Sequence, residues 1–284
     1  MSTPQACGVT RRIGISLAAL VSVVGCASNE TPTGGGGPGP GPVGPPPSAR
    51  IECSIPENEI FSGGVDRGQI PDLSDPALVP AGHADADYLL DSDRIIGLSI
   101  GAGWVAVPHN ILWWHEIAHF DPAPGQRIVV TYCPLTGSSL VFDRGSVTRF
   151  QVSGLLFNNN LMMVDGETES LWPQMSRGAR CGPRDGDQLR TLASIEMRWD
   201  AWRALHPDTK VVSGQTGFSR DYTLYPYDLY EDPDAPPFRP VRLLDTRRRI
   251  KERVLGIPGK AGAGIAFPFF ELPAPRRGPI VDDA

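Results

Sequence analysis

Short apolar runs rich in β-branched residues follow one another along this chain, separated by glycine, proline or asparagine, and they leave little room for a helical or a doubly wound fold. Arg94–Ile100 (RIIGLSI) and Trp104–Val107 (WVAV) flank Gly101-Ala102-Gly103 and read as a hairpin. Arg127–Tyr132 (RIVVTY) and Ser138–Phe142 (SSLVF) flank a turn at Cys133–Gly137, which places Cys133 at a strand end. Val147–Val152, Leu161–Val164 and Lys210–Ser213 continue the pattern, with Asn158-Asn159-Asn160 as a polar turn. Strands that succeed one another without regular helices between them predict an α+β domain, mainly antiparallel or mixed β-sheet with few short helices.

Two segments read as helices. Asn110–Phe120 has Asn110 as its cap and Asp121-Pro122 as its stop. Ser194–Leu205 has Ser194 as its cap, with Ile195, Trp199, Trp202 and Leu205 on one face and His206-Pro207 ending it. The segment 222–240 holds four tyrosines and five prolines, a composition that predicts an ordered loop packed on the surface. The phrase Arg94-Ile95-Ile96-Gly97-Leu98 with Val105-Ala106-Val107-Pro108 returns as Arg253-Val254-Leu255-Gly256-Ile257 with Ile265-Ala266-Phe267-Pro268. Two such hairpins predict that both ends of the domain return to one sheet.

The first fifty residues speak to compartment. Arg11 and Arg12 precede an apolar run, Ile13–Val24, of about a dozen residues, short of the roughly 20 that span a bilayer. Val23-Val24-Gly25-Cys26 then reads as a lipobox, so residues 1–26 are expected to be a lipoprotein signal with Cys26 as the lipidated residue. Residues 27–50, with TPTGGGGPGPGPVGPPP at their centre, cannot bury enough apolar surface to fold and are expected to be a disordered tether. About twenty such residues at up to ~3.1 Å each would hold a domain some ~60 Å from a membrane. The expected place is extracytoplasmic, anchored to the membrane through Cys26, at the outer membrane in a cell that has one. Residues 51–284 are expected to form one globular domain with its core at about 94–270.

The net charge of −6 argues against a sequence-independent grip on nucleic acid. The basic run Arg247-Arg248-Arg249 with Lys251 and Arg253 reads as a solvated face. Cys53, Cys133 and Cys181 remain for the folded part, an odd number, so at least one stays unpaired. Cys53 and Cys181 could pair, although spacing does not decide connectivity.

The ordered matches Trp114-His115-Glu116-Ile117, Tyr132-Cys133-Pro134-Leu135 with Gly137-Ser138, and Gly154-Leu155-Leu156 with Asn158, Asn160 and Leu161 carry a family resemblance. So do Asp165, Thr168, Ser170-Leu171-Trp172, Gln174, Trp202, His206-Pro207-Asp208-Thr209, Thr216-Gly217, Arg220-Asp221-Tyr222, Pro226-Tyr227 and Lys251–Gly256. The chain resembles the bacterial domain-of-unknown-function family 3179 over roughly Arg94 to Phe270. The resemblance implies an exported protein and names no activity. Many members carry Cys-Pro-Leu-Cys-Gly at the turn; Thr136 stands here in place of the second cysteine, which removes a CxxC redox pair or a two-thiolate clamp.

Three sets of residues carry candidate chemistry. His115-Glu116-Ile117-Ala118-His119 matches HExxH, in which helical spacing points both imidazoles at one zinc ion with the glutamate as base; no third ligand follows at a recognised spacing. Otherwise His115 is a buried, hydrogen-bonded histidine and Glu116 lies on a helix surface. Cys133 could supply a thiolate, with His115 beside it, as a zinc or copper site or as a nucleophile and base; otherwise it is a small buried hydrophobe. Asn158, Asn160, Trp172 and Gln174, with Glu116, Arg220 and Tyr222, are candidates for binding a small ligand. The expected function is therefore a tethered domain that binds a small molecule or transition metal. The alternatives are a zinc hydrolase built on His115, Glu116 and His119, a thiol enzyme built on Cys133, or a purely structural role for all of these residues.

Overall fold

The computed structural model describes residues 51–241, 246–258 and 264–272. The expected signal, lipobox and tether, residues 1–50, lie outside the described residues. In chain order the strands are β1 (Ile60–Ser62), β2 (Leu73–Ser74), β3 (Leu78–Pro80), β4 (Arg94–Ile100) and β5 (Gly103–Pro108), followed by helix α1 (His109–His115). Next come β6 (Ile117–Ala123), β7 (Gln126–Cys133), β8 (Ser138–Asp143), β9 (Phe150–Phe157), β10 (Asn160–Asp165), β11 (Leu171–Pro173), β12 (Arg190–Thr191) and β13 (Ile195–Arg198). Helix α2 (Trp199–Leu205), β14 (Lys210–Val212), β15 (Val254–Pro258) and β16 (Gly264–Pro268) complete the chain.

The strands form sheets in the orders β1-β9-β10-β11, β12-β8-β7-β6-β2 and β13-β4-β5-β14-β3, with β15-β16 as a separate hairpin. Nearly every pairing is antiparallel; β14 with β5 and β2 with β6 are parallel. The domain is thus α+β with mixed sheets, as the succession of short runs implies. Ile96, Leu98, Val105, Val107, Ile111, Leu112, Val130 and Tyr132 build one core between α1 and the two five-stranded sheets. Ile117, Val129, Cys133, Phe142, Phe150, Leu161 and Trp172 build a second between β6–β8 and β9–β11.

Both helices are shorter than the sequence implies. The first stops at His115, because Glu116 takes a left-handed conformation (φ 57°) and the chain leaves as β6, pairing Ile117 with Thr131 and Phe120 with Ile128. Ile117 and Phe120, β-branched and aromatic residues that suit a strand, thus satisfy a ladder instead of a helical turn. The second begins only at Trp199: Ile195–Arg198 pairs antiparallel with β4 and leaves Ile195 49 % exposed, off the face shared by Trp199 and Trp202. Ser194 caps nothing, since a strand follows it.

The repeated phrase folds twice in one register. Gly97 faces Ala106 in β4–β5 and Gly256 faces Ala266 in β15–β16, but the second hairpin forms its own two-stranded sheet and does not join the first. Cys53 and Cys181 are joined by a disulfide, and Cys133 is free and buried. No helix among the described residues is long and apolar enough to cross a membrane.

Candidate functional site

The HEIAH motif is divided between two elements. His115 ends α1, Glu116 is the turn and His119 lies in β6, so the helical spacing that would aim both imidazoles at one ion is not built. Each ring also uses both nitrogens. His115 Nδ1 donates to the Pro71 carbonyl (2.7 Å), and its Nε2 accepts from the Tyr222 hydroxyl (2.7 Å). His119 Nδ1 donates to the Leu73 carbonyl (3.0 Å), and its Nε2 accepts from the Phe150 amide (3.0 Å). Burial lowers the proton affinity of both rings, which keeps them neutral in these tautomers. His119 works as a pin: beside it Asp72 takes two bonds from Arg149 (2.7 and 2.9 Å), and the cluster ties the β2 segment to β6 and β9. Among the described residues no three His, Cys, Asp or Glu side chains gather as metal ligands.

Glu116 is buried, where a helix-surface position was the simple expectation. Burial raises its carboxyl to about 8, against a smaller opposing effect of the hydrogen bond that Tyr227 donates (3.3 Å). Cys133 is likewise fully enclosed; burial first, and then Glu116, push its thiol up to about 11. Its sulfur accepts from the Leu161 amide (3.3 Å) and contacts the Asn159 carbonyl (3.7 Å). At neutral pH this is a protonated carboxyl, a phenol and a neutral thiol, an arrangement that suppresses nucleophilic and soft-metal chemistry at sulfur.

Beside Cys133 the β7–β8 and β9–β10 turns are tied together by a buried amide network. Gln174 Nε2 donates to Thr131 Oγ1 (2.9 Å), and Gln174 Oε1 accepts from Asn160 Nδ2 (2.8 Å) and from the Ser138 hydroxyl (3.0 Å). Asn160 Nδ2 also reaches Thr136 Oγ1 (3.0 Å), so the hydroxyl that replaces the second cysteine is a member of this network. Trp172 is a core residue whose indole N–H donates to Asp165 (2.8 Å). Asn160, Gln174 and Trp172 are thus scaffold, while Asn158 stands exposed at the tip of its turn with φ 50°.

That tip faces a cleft of about 540 Å³ lined by Thr136, Asn158, Tyr230, Glu231, Lys251 and Arg253, among others. The 222–241 segment forms one wall. The basic run supports it, for Arg248 pairs with Glu252 and Glu271, Arg249 with Asp234, and Arg253 with Glu231 (3.6 Å). The arginines are exposed, as a solvated face implies, and they make these ion pairs at the surface. Arg220 and Tyr222 line a separate cleft of about 330 Å³ with Asp85 and Tyr88; the Arg220 guanidinium lies 5.4 Å from the Trp114 ring, and the Tyr222 hydroxyl serves His115 and Thr216. The proposed ligand set therefore divides between two clefts and a buried scaffold. Tyr230 and Glu231, which the loop-like composition hid, complete the larger cleft with Lys251; the signal for them is the density of tyrosines in 222–230.

A family model described as "Protein of unknown function (DUF3179)" matches residues 67–279, most of the chain. The chain belongs to this family. Membership reaches further towards the N-terminus than the resemblance from Arg94 onward, taking in Asp72 and the β2 segment that His119 holds. No curated protein and no solved structure matches the chain. In this member of DUF3179 the family motifs meet in space: His115 with Tyr222, Glu116 with Tyr227, Cys133 with the Asn159–Leu161 turn, and Trp202 with Thr209.

Proposed function

We propose that this chain is an exported, lipid-anchored domain that binds a small polar organic molecule in the cleft between the β7–β8 turn, the β9–β10 turn and residues 230–241 and 250–254. The observation that carries the reading is that three stretches far apart in sequence, Pro134–Gly137, Asn158-Asn159 and Lys251–Val254, line this one cleft. Its walls offer hydroxyl, amide, carboxylate and cationic groups over apolar proline and valine surface, the composition of a small-molecule site. The lipobox at Cys26 and the tether behind it support the membrane address.

The test uses the full chain, titrated by calorimetry and thermal shift against amino acids, short peptides, small sugars, organic acids and inorganic anions. Pro237 lines the cleft, and Pro237→Trp fills it. At least one solute class is expected to bind the natural chain and to lose tenfold or more in affinity to the variant. Absence of binding by every class, or equal binding by the variant, sinks the cleft. For the anchor, Cys26→Ala is expected to move the chain from the membrane fraction to the soluble one.

A further inference from the structure

The second copy of the repeated phrase is built like the first but left uncovered. In β4–β5, Ile96 faces Val107 and Leu98 faces Val105, so strand alternation puts these four side chains on one side of the hairpin. All four are at most 3 % exposed and belong to the core that α1 helps to build. In β15–β16 the same positions hold Leu255 facing Phe267 and Ile257 facing Ile265. There the four side chains are 39–59 % exposed, and Gly256 and Ala266 on the opposite side are exposed as well. Phe269, Phe270 and Leu272 follow β16 directly, and Phe270 is 88 % exposed. Single exposed apolar residues are ordinary; seven large ones on one hairpin and its exit mark a surface that something covers. A two-stranded hairpin is moreover only marginally stable in water by itself.

Three observations favour a second copy of this chain as the cover. The first is area: at about 200 Å² for a large side chain, seven that are on average about half exposed present roughly 700 Å². A stable interface takes about 800 Å² from each partner. The second is charge. Arg248, Arg249 and Arg253 beside β15 are matched by Glu252, Glu271, Asp234 and Glu231, so these arginines neither repel an identical surface nor stand ready for lipid phosphates. The third is the backbone. The hairpin is a sheet of two strands whose outer edges pair with nothing among the described residues, and such edges are costly in hydrocarbon. Packing face to face on another sheet leaves them in water.

We propose that β15–β16 is a dimerisation surface, on which the Leu255, Ile257, Ile265 and Phe267 face of one copy is laid on the same face of its partner about a two-fold axis. The inference goes beyond the cleft reading and does not rest on it, because none of these four residues lines the cleft.

The test is thiol cross-linking of the full chain in intact cells, with a bifunctional maleimide of about 10 Å, the spacing of packed sheets. Cys133 is buried and Cys53 is bonded to Cys181, so none of these three competes for the reagent. Ile265→Cys is expected to give a product of twice the chain's mass. Leu90→Cys, at a position 66 % exposed and outside the hairpin, is expected to give at least tenfold less. Ile257→Asp added to Ile265→Cys is expected to lower the yield at least tenfold while the amount of folded chain, read by resistance to protease, stays the same. Equal yields at the two positions, no cross-linked product from Ile265→Cys, or a yield that Ile257→Asp leaves unchanged overturns the dimer. A product of another mass overturns it in favour of a different protein partner. Protection of Ile265→Cys from a water-soluble maleimide without any cross-linked product overturns it in favour of a membrane surface. Loss of the lipid anchor would move the same products to the soluble fraction, and ligand binding in the cleft is read separately by calorimetry.

Discussion

Glu116 shows what a single residue has to satisfy here. Its left-handed backbone ends α1, its amide bonds the Leu112 carbonyl (2.9 Å), its carbonyl accepts from Tyr132 (2.8 Å), and its side chain is then forced inward beside Cys133. The carboxyl is raised from 4.5 to about 8. The native protein therefore holds a proton that the unfolded chain has released, and stability falls as pH rises across that window and levels off above it. Glu116→Gln keeps the shape and the acceptor for Tyr227 without the charge. It is expected to flatten this part of the pH profile and to stabilise the protein at pH 9, relative to pH 5, by on the order of a few kcal/mol. Urea midpoints at the two pH values measure this; parallel profiles for the two proteins would place the charge elsewhere. HEIAH as a string of residue types did not reveal this burial, because the turn at Glu116 depends on the pairing of β6 with β7, which lies outside the motif.

At the scale of elements, the packing of α2 on β4 decides which of the two similar hairpins is part of the core. A Cβ at Gly97 would come within 2.4 Å of the Trp202 ring, whereas one at Gly256 meets nothing within 4 Å. Trp202 cannot retreat easily, since its indole N–H is held by Thr209 (2.8 Å) and its ring lies 4.1 Å from His206. Gly97→Ala is therefore expected to cost about 1–3 kcal/mol by overpacking, and Gly256→Ala, at the same place in the repeat, to stay within about 0.5 kcal/mol. Thermal or urea midpoints of the two variants test the contrast, and equal losses would contradict it. The strands and their turns are readable in the sequence because period-two burial and turn chemistry are local. The helices are shorter than their residue patterns imply because 195–198 and 117–120 have neighbouring strands to pair with, and a ladder outweighs the weak helical preference of such short runs.

Over the whole molecule, the disulfide adds a covalent constraint between distant parts of the chain. Cys53 and Cys181 are 128 residues apart, and the bond fastens the start of the domain to the Leu171–Cys181 bridge beside β11. Loop-closure entropy for such a span gives an upper value of about 5 kcal/mol. Paired replacement, Cys53→Ala with Cys181→Ala, is expected to lower stability by about 2–5 kcal/mol and to make the unfolding midpoint insensitive to reductant. A natural chain whose midpoint does not move on reduction would show that the bond is not formed.

The sequence by itself determined the strand succession, the α+β class, the family and the turn positions, because each depends on residues close in the chain or on ordered motif matches. Only the tertiary structure decided the rest. It placed Glu116 inside, spent both histidines of HEIAH on backbone and hydroxyl partners, made scaffold of Asn160, Trp172 and Gln174, and brought Glu196 to both Arg94 and His109. Burial, hydrogen-bond partnership and charge proximity are properties of neighbours in space, and no local pattern of residue types specifies those neighbours.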